Sequence, residues 1–294
     1  MTVDEAARLI RAGKLVAFPT ETVYGLGANA LDAAAVERIF AAKGRPRTSP
    51  LIVHVDSVEM ARELAARWPR AADALAARYW PGPLTLVVPK RADIPDVVTA
   101  GLATVGLRMP AHPLAIELIR AAGVPIAAPS ANRFTELSPT EAGHVPEAIA
   151  DGVLDGGPAR VGIESTVLSL ADEPVLLRPG VIPLPEIEAV IGPVRRAAAP
   201  GEGAHASPGM HARHYRPATR LYLLGAGERP PEGRGAWLRI GREMPAEPLA
   251  YAAELYAALH RLDRQGLDWI AVERPPEGPE WAGVRDRLER AAGA

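Results

Sequence analysis

FPTETVYGLGANA, residues 18–30, is preceded by a short apolar run, LVAF (15–18), and followed by a helical pattern, DAAAVERIFAAK (32–43). It is too polar and too glycine-rich for a core strand, so it reads as a loop leading from a buried strand toward a helix. Gly25 and Gly27 permit positive φ or the close approach of a ligand to backbone. Backbone N–H groups can face an anion there, and Thr20, Thr22 and Tyr24 add hydroxyls and a flat ring. The alternative is a turn whose polar groups satisfy only its own backbone. No G-x-x-x-x-G-K-[ST] occurs anywhere, and GLGANA lacks the third glycine of a dinucleotide fingerprint.

Working outward, strands and helices interleave. Residues 3–12 read as a helix. Asp32 is an N-cap and Gly44 a helix stop for 32–43. LIVHV (51–55), LTLVVP (84–89), TVGLRMP (104–110), PIAAPSAN (125–132), STVLSL (165–170) and PVLLRPG (174–180) read as strands. Helices are expected over 57–66, 70–79, 113–122, 140–149 and 185–191. Apolar runs buried on both faces favour an α/β fold with a mixed sheet. Residues 192–219 have no periodicity. Beyond them lies a small α/β unit, with strands in RLYLLG, GAWLRI and LDWIAVE and helices over 247–264 and 280–291. The division expected is a large α/β domain at 1–195, a linker at 196–219, and a small C-terminal domain at 220–294 that leans on the first.

Composition sets bounds. The chain has 294 residues, 48% hydrophobic and 23% charged, with a net charge of −2. That is ordinary for a soluble globular protein. The absence of cysteine excludes disulfides, zinc ribbons and thiol nucleophiles. A pI near 6.4 argues against broad nucleic-acid affinity, although a local basic groove remains open. No apolar run approaches the roughly 20 residues of a membrane span, and MTVDEAARLIRAGK does not read as a signal peptide, so a cytoplasmic location is expected. Of 33 basic residues only Lys14, Lys43 and Lys90 are lysines.

Polar chemistry gathers at strand ends. KGRPRTSPLIVH places Lys43, Arg45 and Arg47 within five residues, with Ser49 beside them. Cations at a helix C-terminus are favoured by its dipole alone, but three in one turn also suit an anion. His54 shares a strand face with Ile52. Arg108 closes an apolar strand and needs a partner, either an internal carboxylate or that of a substrate. Ser130, Asn132, Ser138 and Thr140 follow one strand end, and Ser165, Thr166 and Arg178 lie at others. Ligands of open α/β sheets collect in such places. Together these segments describe a pocket for something polyanionic and hydroxyl-bearing. The connector's SPGMHARHYRP can fold over that pocket. His211 and His214 without a third ligand make a weak metal site, and no resident metal is expected.

PTETVYGLG, KGRP…SPLIVH, WPGPLT, VGLRMP, PSAN, ESTV, LLRPG and SPGM…HYRP occur in this order. They resemble the threonylcarbamoyl-AMP synthases, the long form of the YrdC-like family, over essentially the whole chain. The resemblance implies a twisted mixed sheet with surrounding helices and a concave cavity, plus a small Rossmann-like C-terminal domain. It implies that the domain at 1–195 is catalytic and the linker at 196–219 an active-site lid. It implies the conversion of L-threonine, bicarbonate and ATP, with Mg2+, into threonylcarbamoyl-AMP and diphosphate. That reaction opens tRNA threonylcarbamoyladenosine biosynthesis, so tRNA or a downstream threonylcarbamoyl-transferase complex is a possible partner.

By the same resemblance Thr22, His54, Arg108, Ala128, Ser165 and Thr166 form the threonine side, Arg108 taking the carboxylate and Ala128 lending backbone. Lys43, Arg45, Ser49, Thr104, Ser130, Asn132, Ser138, Arg178, His214 and Tyr215 form the ATP side, with Lys43 and Arg45 as the catalytic pair. The chain departs from the family pattern at Ala212, where the lid usually has an aromatic. The alternative is an RNA-binding or regulatory protein of the same fold. A carbamoyl-phosphate enzyme would need zinc-finger cysteines that are missing here, and serine in place of threonine stays open.

Overall fold

The computed structural model describes residues 1–197 and 215–293. In chain order the strands are β1 (Val16–Phe18), β2 (Gly25–Asn29), β3 (Ile52–His54), β4 (Leu84–Pro89), β5 (Thr104–Arg108), β6 (Ile126–Ala128), β7 (Gly152–Val153), β8 (Thr166–Ser169), β9 (Val175–Arg178), β10 (Arg195–Arg196), β11 (Arg220–Leu224), β12 (Gly235–Leu238) and β13 (Trp269–Glu273). The helices are α1 (Val3–Arg11), α2 (Ala33–Lys43), α3 (Val58–Leu64), α4 (Arg70–Tyr79), α5 (Asp96–Thr99), α6 (Pro113–Ala122), α7 (Leu184–Ile191), α8 (Pro248–Asp263) and α9 (Ala282–Ala292).

Local signals account for several boundaries. At the start of α1 the Thr2 hydroxyl accepts from Glu5 N and the Glu5 carboxylate accepts from Thr2 N, a reciprocal cap. Asp32 caps α2 by accepting from Ala34 and Ala35 N, and Gly44 ends it in the left-handed conformation that glycine adopts without strain. Such caps contribute about 1 kcal/mol each.

The first ten strands form one mixed sheet in the order β10-β9-β8-β4-β5-β3-β6-β2-β1-β7. Strand β3 sits between β5, to which it is parallel, and β6, to which it is antiparallel. The register sets His54 beside both Arg108 and Ile126, and Ile52 beside both Gly106 and Ala128. Val53, Leu107 and Ala127 belong to the larger core, with α2 and α4 on the opposite face. A second core packs Phe18, Ile126 and Ala128 against α1 and α6. These helices cover only part of their face, and the remainder is left to the site.

Two expectations fail here. The second half of the opening stretch is strand β2, paired with β1 on one side and β6 on the other. Neither Gly25 nor Gly27 has a positive φ. A Cβ at Gly27 would lie 2.8 Å from both Phe18 Cε1 and Ile126 Cγ2, so glycine makes room for neighbouring side chains in the sheet. The helix expected over 140–149 shrinks to one 3-10 turn, Ala142–His144.

The C-terminal unit is a three-stranded parallel sheet in the order β11-β13-β12. Helix α8 connects β12 to β13, as a parallel pairing requires. Its core of Tyr251, Leu255, Leu259, Ile270, Val272 and Leu288 is continuous with Val23, Leu137 and Ile163 of the large unit. The small unit therefore completes its core on the loops around the site.

Candidate active site

A cleft opens over the face of β3, where Ile52 and His54 are flanked by Arg108 at the end of β5 and Ala128 at the end of β6. Its walls include Thr22, Arg45, His54, Arg108, Ala128, Ser130, Ser165, Arg178 and Tyr215. These nine residues come from several segments far apart in the sequence, and all nine were expected in the site.

The β1–β2 connection folds onto itself. Thr20 Oγ1 accepts from Thr22 N and Val23 N and lies 2.9 Å from Thr22 Oγ1. Tyr24 N donates to Pro139 O and Leu26 N to Pro129 O. These amides therefore bond to protein, and the expectation that the loop's N–H groups face an anion fails for them. Thr22 instead presents its hydroxyl to Arg108, whose Nη1 donates to it at 3.0 Å.

Arg108 is buried, with Nε donating to Gly82 O at 3.3 Å. Nη2 lies 2.7 Å from Glu21 Oε1. That contact is an ion pair by distance, but its N–H does not point along the line of contact, so both atoms keep hydrogen-bonding capacity. Arg108 thus has an internal carboxylate partner and also faces the cleft. Beside it, His54 Nδ1 has no hydrogen-bond partner among the described residues. Burial, then the neighbouring Arg108 charge, pushes the His54 imidazole down to about 3. It is neutral at physiological pH, able to accept or donate a hydrogen bond but too weak a base to hold a proton.

Across the cleft, Arg45 Nη2 donates to Ser49 Oγ at 2.7 Å and to Pro50 O at 3.1 Å. It has no carboxylate partner among the described residues, and burial lowers its pKa to about 10. Arg178 donates from Nε and Nη2 to Ser165 O and from Nη2 to Ser165 Oγ. Ser165 Oγ also lies 2.8 Å from Thr85 Oγ1, which ties β8 to β4 below the cleft. Tyr215 adopts a left-handed backbone (φ 62°) and packs its ring on Tyr256, with the Arg287 guanidinium 5.3 Å from its centre.

The other expected residues do not line this cleft. Lys43 Nζ donates to Ser130 O at 2.6 Å and to Asn132 O, and burial followed by the Arg45 charge lowers its pKa well below that of an ordinary lysine. Its ammonium is engaged by carbonyls, so it braces the 130–132 loop. Ser49 supports Arg45. Asn132 bonds to Arg133 O and Glu136 O. Ser138 donates to Glu164 Oε1 at 2.5 Å. Thr166 Oγ1 exchanges hydrogen bonds with Ile182 O and N. Thr104 lies at the far end of β5, about 13 Å along the strand from Arg108, and lines a separate small hollow with Thr85, Thr99 and Gly106. His214 lies outside the described residues.

Several residues at the site escaped the sequence reading. Glu21 and Glu164 stand inside the quoted motifs PTETVYGLG and ESTV, and their acidity in such basic company was the available signal. Thr20, whose hydroxyl the sequence did single out, lines the cleft as well. Arg287, in an arginine-rich amphipathic helix, carried no signal.

Comparison with known proteins decides between folds of this kind. A family model described as "Telomere recombination", covering Sua5, YciO and YrdC proteins, matches residues 8–180. A second, the C-terminal domain of threonylcarbamoyl-AMP synthase, matches residues 182–293. The chain belongs to the threonylcarbamoyl-AMP synthase family. The family's Pyrococcus abyssi member is 45% identical, the match covering 98% of this chain and 93% of the relative. The Bacillus subtilis member is 42% identical over 99% and 93% of the two chains. A crystal structure of the P. abyssi Sua5 protein complexed with L-threonine superposes with a TM-score of 0.92 at 43% identity, covering 99% of this chain and 94% of that one. Shorter family members also exist: one from Chromobacterium violaceum is 36% identical, the match covering 59% of this chain and 91% of the relative.

Proposed function

We infer that the protein condenses L-threonine, bicarbonate and ATP to threonylcarbamoyl-AMP and diphosphate, acting as a nucleotidyltransferase at the first step of tRNA threonylcarbamoyladenosine biosynthesis. The observation that carries this reading is the convergence of Arg45, Arg108 and Arg178 with the hydroxyls of Thr22, Ser130 and Ser165 on one cleft. Family membership of the full chain supports it.

All three substrates are anionic or carry an anionic group, so they repel one another in water. Fixed cations and hydroxyls in a partly closed cleft offset that repulsion and hold the partners in line. The threonine amine combines with bicarbonate, releasing water, to give a carbamate. A carbamate oxygen then attacks the α-phosphorus of ATP, the bond to the β-phosphate oxygen breaks, and pyrophosphate leaves. No covalent enzyme intermediate is needed.

Arg108, Thr22, neutral His54 and Ser165 are proposed for the threonine side, with Arg108 on the carboxylate and Ala128 walling the same end. Arg45, Ser130, Arg178 and Tyr215 are proposed for the nucleotide. Lys43, Ser49, Asn132, Ser138 and Thr166 are proposed as supports of those residues. Among the described residues no group of three His, Asp or Glu side chains could hold a metal ion. The carboxylates Glu21 and Glu164 are each paired with arginine. Magnesium is therefore proposed to arrive on the nucleotide's phosphates. No helix among the described residues is long and apolar enough to cross a membrane, and a cytoplasmic setting is proposed. A downstream threonylcarbamoyl-transferase is the proposed acceptor of the product.

The test is direct. Purified protein given Mg-ATP, bicarbonate and threonine is expected to release pyrophosphate and not orthophosphate, and to form the adenylate only when threonine and bicarbonate are both present. Pyrophosphate release that ignores threonine would refute the reading.

A further inference from the structure

The C-terminal domain reaches the cleft wall through two fully buried side chains, Arg287 and Tyr256, of which only the first is charged. Arg287, on α9, donates from Nε to Glu164 Oε2 at 2.7 Å and from Nη2 to Glu164 O at 3.1 Å. Its Nη1 donates to Pro179 O at 2.9 Å and to Asp286 Oδ2 at 2.8 Å. Glu164 adjoins Ser165 and Pro179 adjoins Arg178, so one guanidinium holds together two segments that line the cleft. Tyr256, on α8, donates to the same Glu164 oxygen at 3.2 Å. Helix α9 comes this close because Gly283 lies against Gly180, where a Cβ would sit 2.5 Å from the Gly180 carbonyl oxygen.

Glu164 itself lines the cleft. A carboxylate facing a site for ATP, bicarbonate and an amino-acid carboxylate opposes the binding of every one of them. We propose that Arg287 is a positioning residue for the substrate cleft, cancelling the Glu164 charge from behind so that the wall does not repel the anionic nucleotide. This rests on the functional reading above. Burial pushes the Glu164 carboxyl up, while Arg287, then Arg178 and the Ser138 hydrogen bond, bring it below its ordinary value. Glu164 is therefore a charged group whose charge must be balanced; Arg178 contributes from its own domain, and the arginine in direct contact, Arg287, comes from the other. Arg287 touches no reacting atom.

The experiment uses the full chain, with threonine-dependent pyrophosphate release measured while ATP and threonine are varied separately. Arg287→Met keeps length and removes charge. Its KM for ATP is expected to rise about ten-fold, with a smaller change for threonine. The double variant Glu164→Gln/Arg287→Met removes both charges and is expected to bring the ATP KM back to within about three-fold of wild type. A purely structural clamp predicts no such recovery, and a double variant as impaired as Arg287→Met overturns the proposal. If Arg287→Met does not fold, Arg287→Lys serves, since it keeps the charge. An ATP KM within about three-fold of wild type supports the proposal, and a ten-fold rise overturns it. Wild-type turnover that ignores threonine would overturn the functional reading and this inference together. Threonine-dependent wild-type turnover with an unaltered Arg287→Met overturns this inference alone.

Discussion

Arg108→Lys separates substrate recognition from folding at the residue where both meet. The arginine makes three contacts: Thr22 Oγ1 at 3.0 Å, Gly82 O at 3.3 Å and Glu21 Oε1 at 2.7 Å. Lysine keeps a positive charge against the buried Glu21 carboxylate, so the fold survives. It has a single head group, so it cannot hold Glu21 and also present a fork to a substrate carboxylate. Losing one charge-assisted hydrogen bond costs about 1.5–3 kcal/mol, which is roughly 10- to 160-fold in affinity. The threonine KM is expected to rise by that factor, read from pyrophosphate release at saturating ATP and bicarbonate. The ATP KM is expected to stay within about two-fold. Arg108→Ala is the contrast. It leaves Glu21 buried and unpaired, at a cost of about 3–5 kcal/mol. At roughly 2–4 °C per kcal/mol for domains of this size, Tm falls by about 6–20 °C. An Arg108→Lys enzyme with an unchanged threonine KM and a raised ATP KM would refute the assignment of the two ends of the cleft.

Lys43→Met removes both donors to the carbonyls of Ser130 and Asn132. It is expected to cost about 1–3 kcal/mol per abandoned carbonyl in urea denaturation and to raise the ATP KM through Ser130, and a stable variant with normal kinetics would contradict the bracing role. Gly27→Ala places a Cβ 2.8 Å from Phe18 and Ile126, so a loss of about 1–3 kcal/mol is expected, partly recovered by Phe18→Leu, and the absence of recovery would count against the packing explanation. His144 and His260 stack at 3.9 Å across the domain boundary, and burial, with the His144 charge adding to it at His260, lowers both to about 4 from 6.5. The unfolded chain then binds more protons between these values, so their contribution to stability is present above about pH 6.5 and lost as pH falls toward 4. Tm is expected to fall across that window with a shallower slope in His144→Gln/His260→Gln, and an identical slope would dismiss the pair as the cause.

The alternation of apolar strands and amphipathic helices was legible because it needs only residue type and spacing. Caps at Asp32 and Gly44 were legible for the same reason. Strand β2 was not, since GLGAN has the composition of a turn and its glycines are explained only by the neighbouring strands, through Phe18 of β1 and Ile126 and Ala128 of β6. The site was legible as a set of hydroxyls and cations at strand ends, and Thr22, Arg45, His54, Arg108 and Arg178 do meet at one cleft. What composition could not convey was what each group touches. Lys43 and Arg45 lie two residues apart on the chain, yet one ammonium is taken up by carbonyls while the other side chain lines the cleft. Thr104 and Arg108 share a strand, but its length sets them at opposite ends. Arg287 acts from more than a hundred residues away in sequence, across a contact that no local pattern foretells.

Two glycines govern how the smaller unit sits. A methyl group at Gly162 would lie 2.3 Å from the Ala252 carbonyl oxygen, and one at Gly283 would strike Gly180. Backbone therefore meets backbone on either side of Glu164. Chimeras that graft a C-terminal domain from another member of the family must keep a matched glycine on each half of the joint. One stray side chain there would lift the graft off its seat and disarrange the cleft without altering a single residue that meets a substrate.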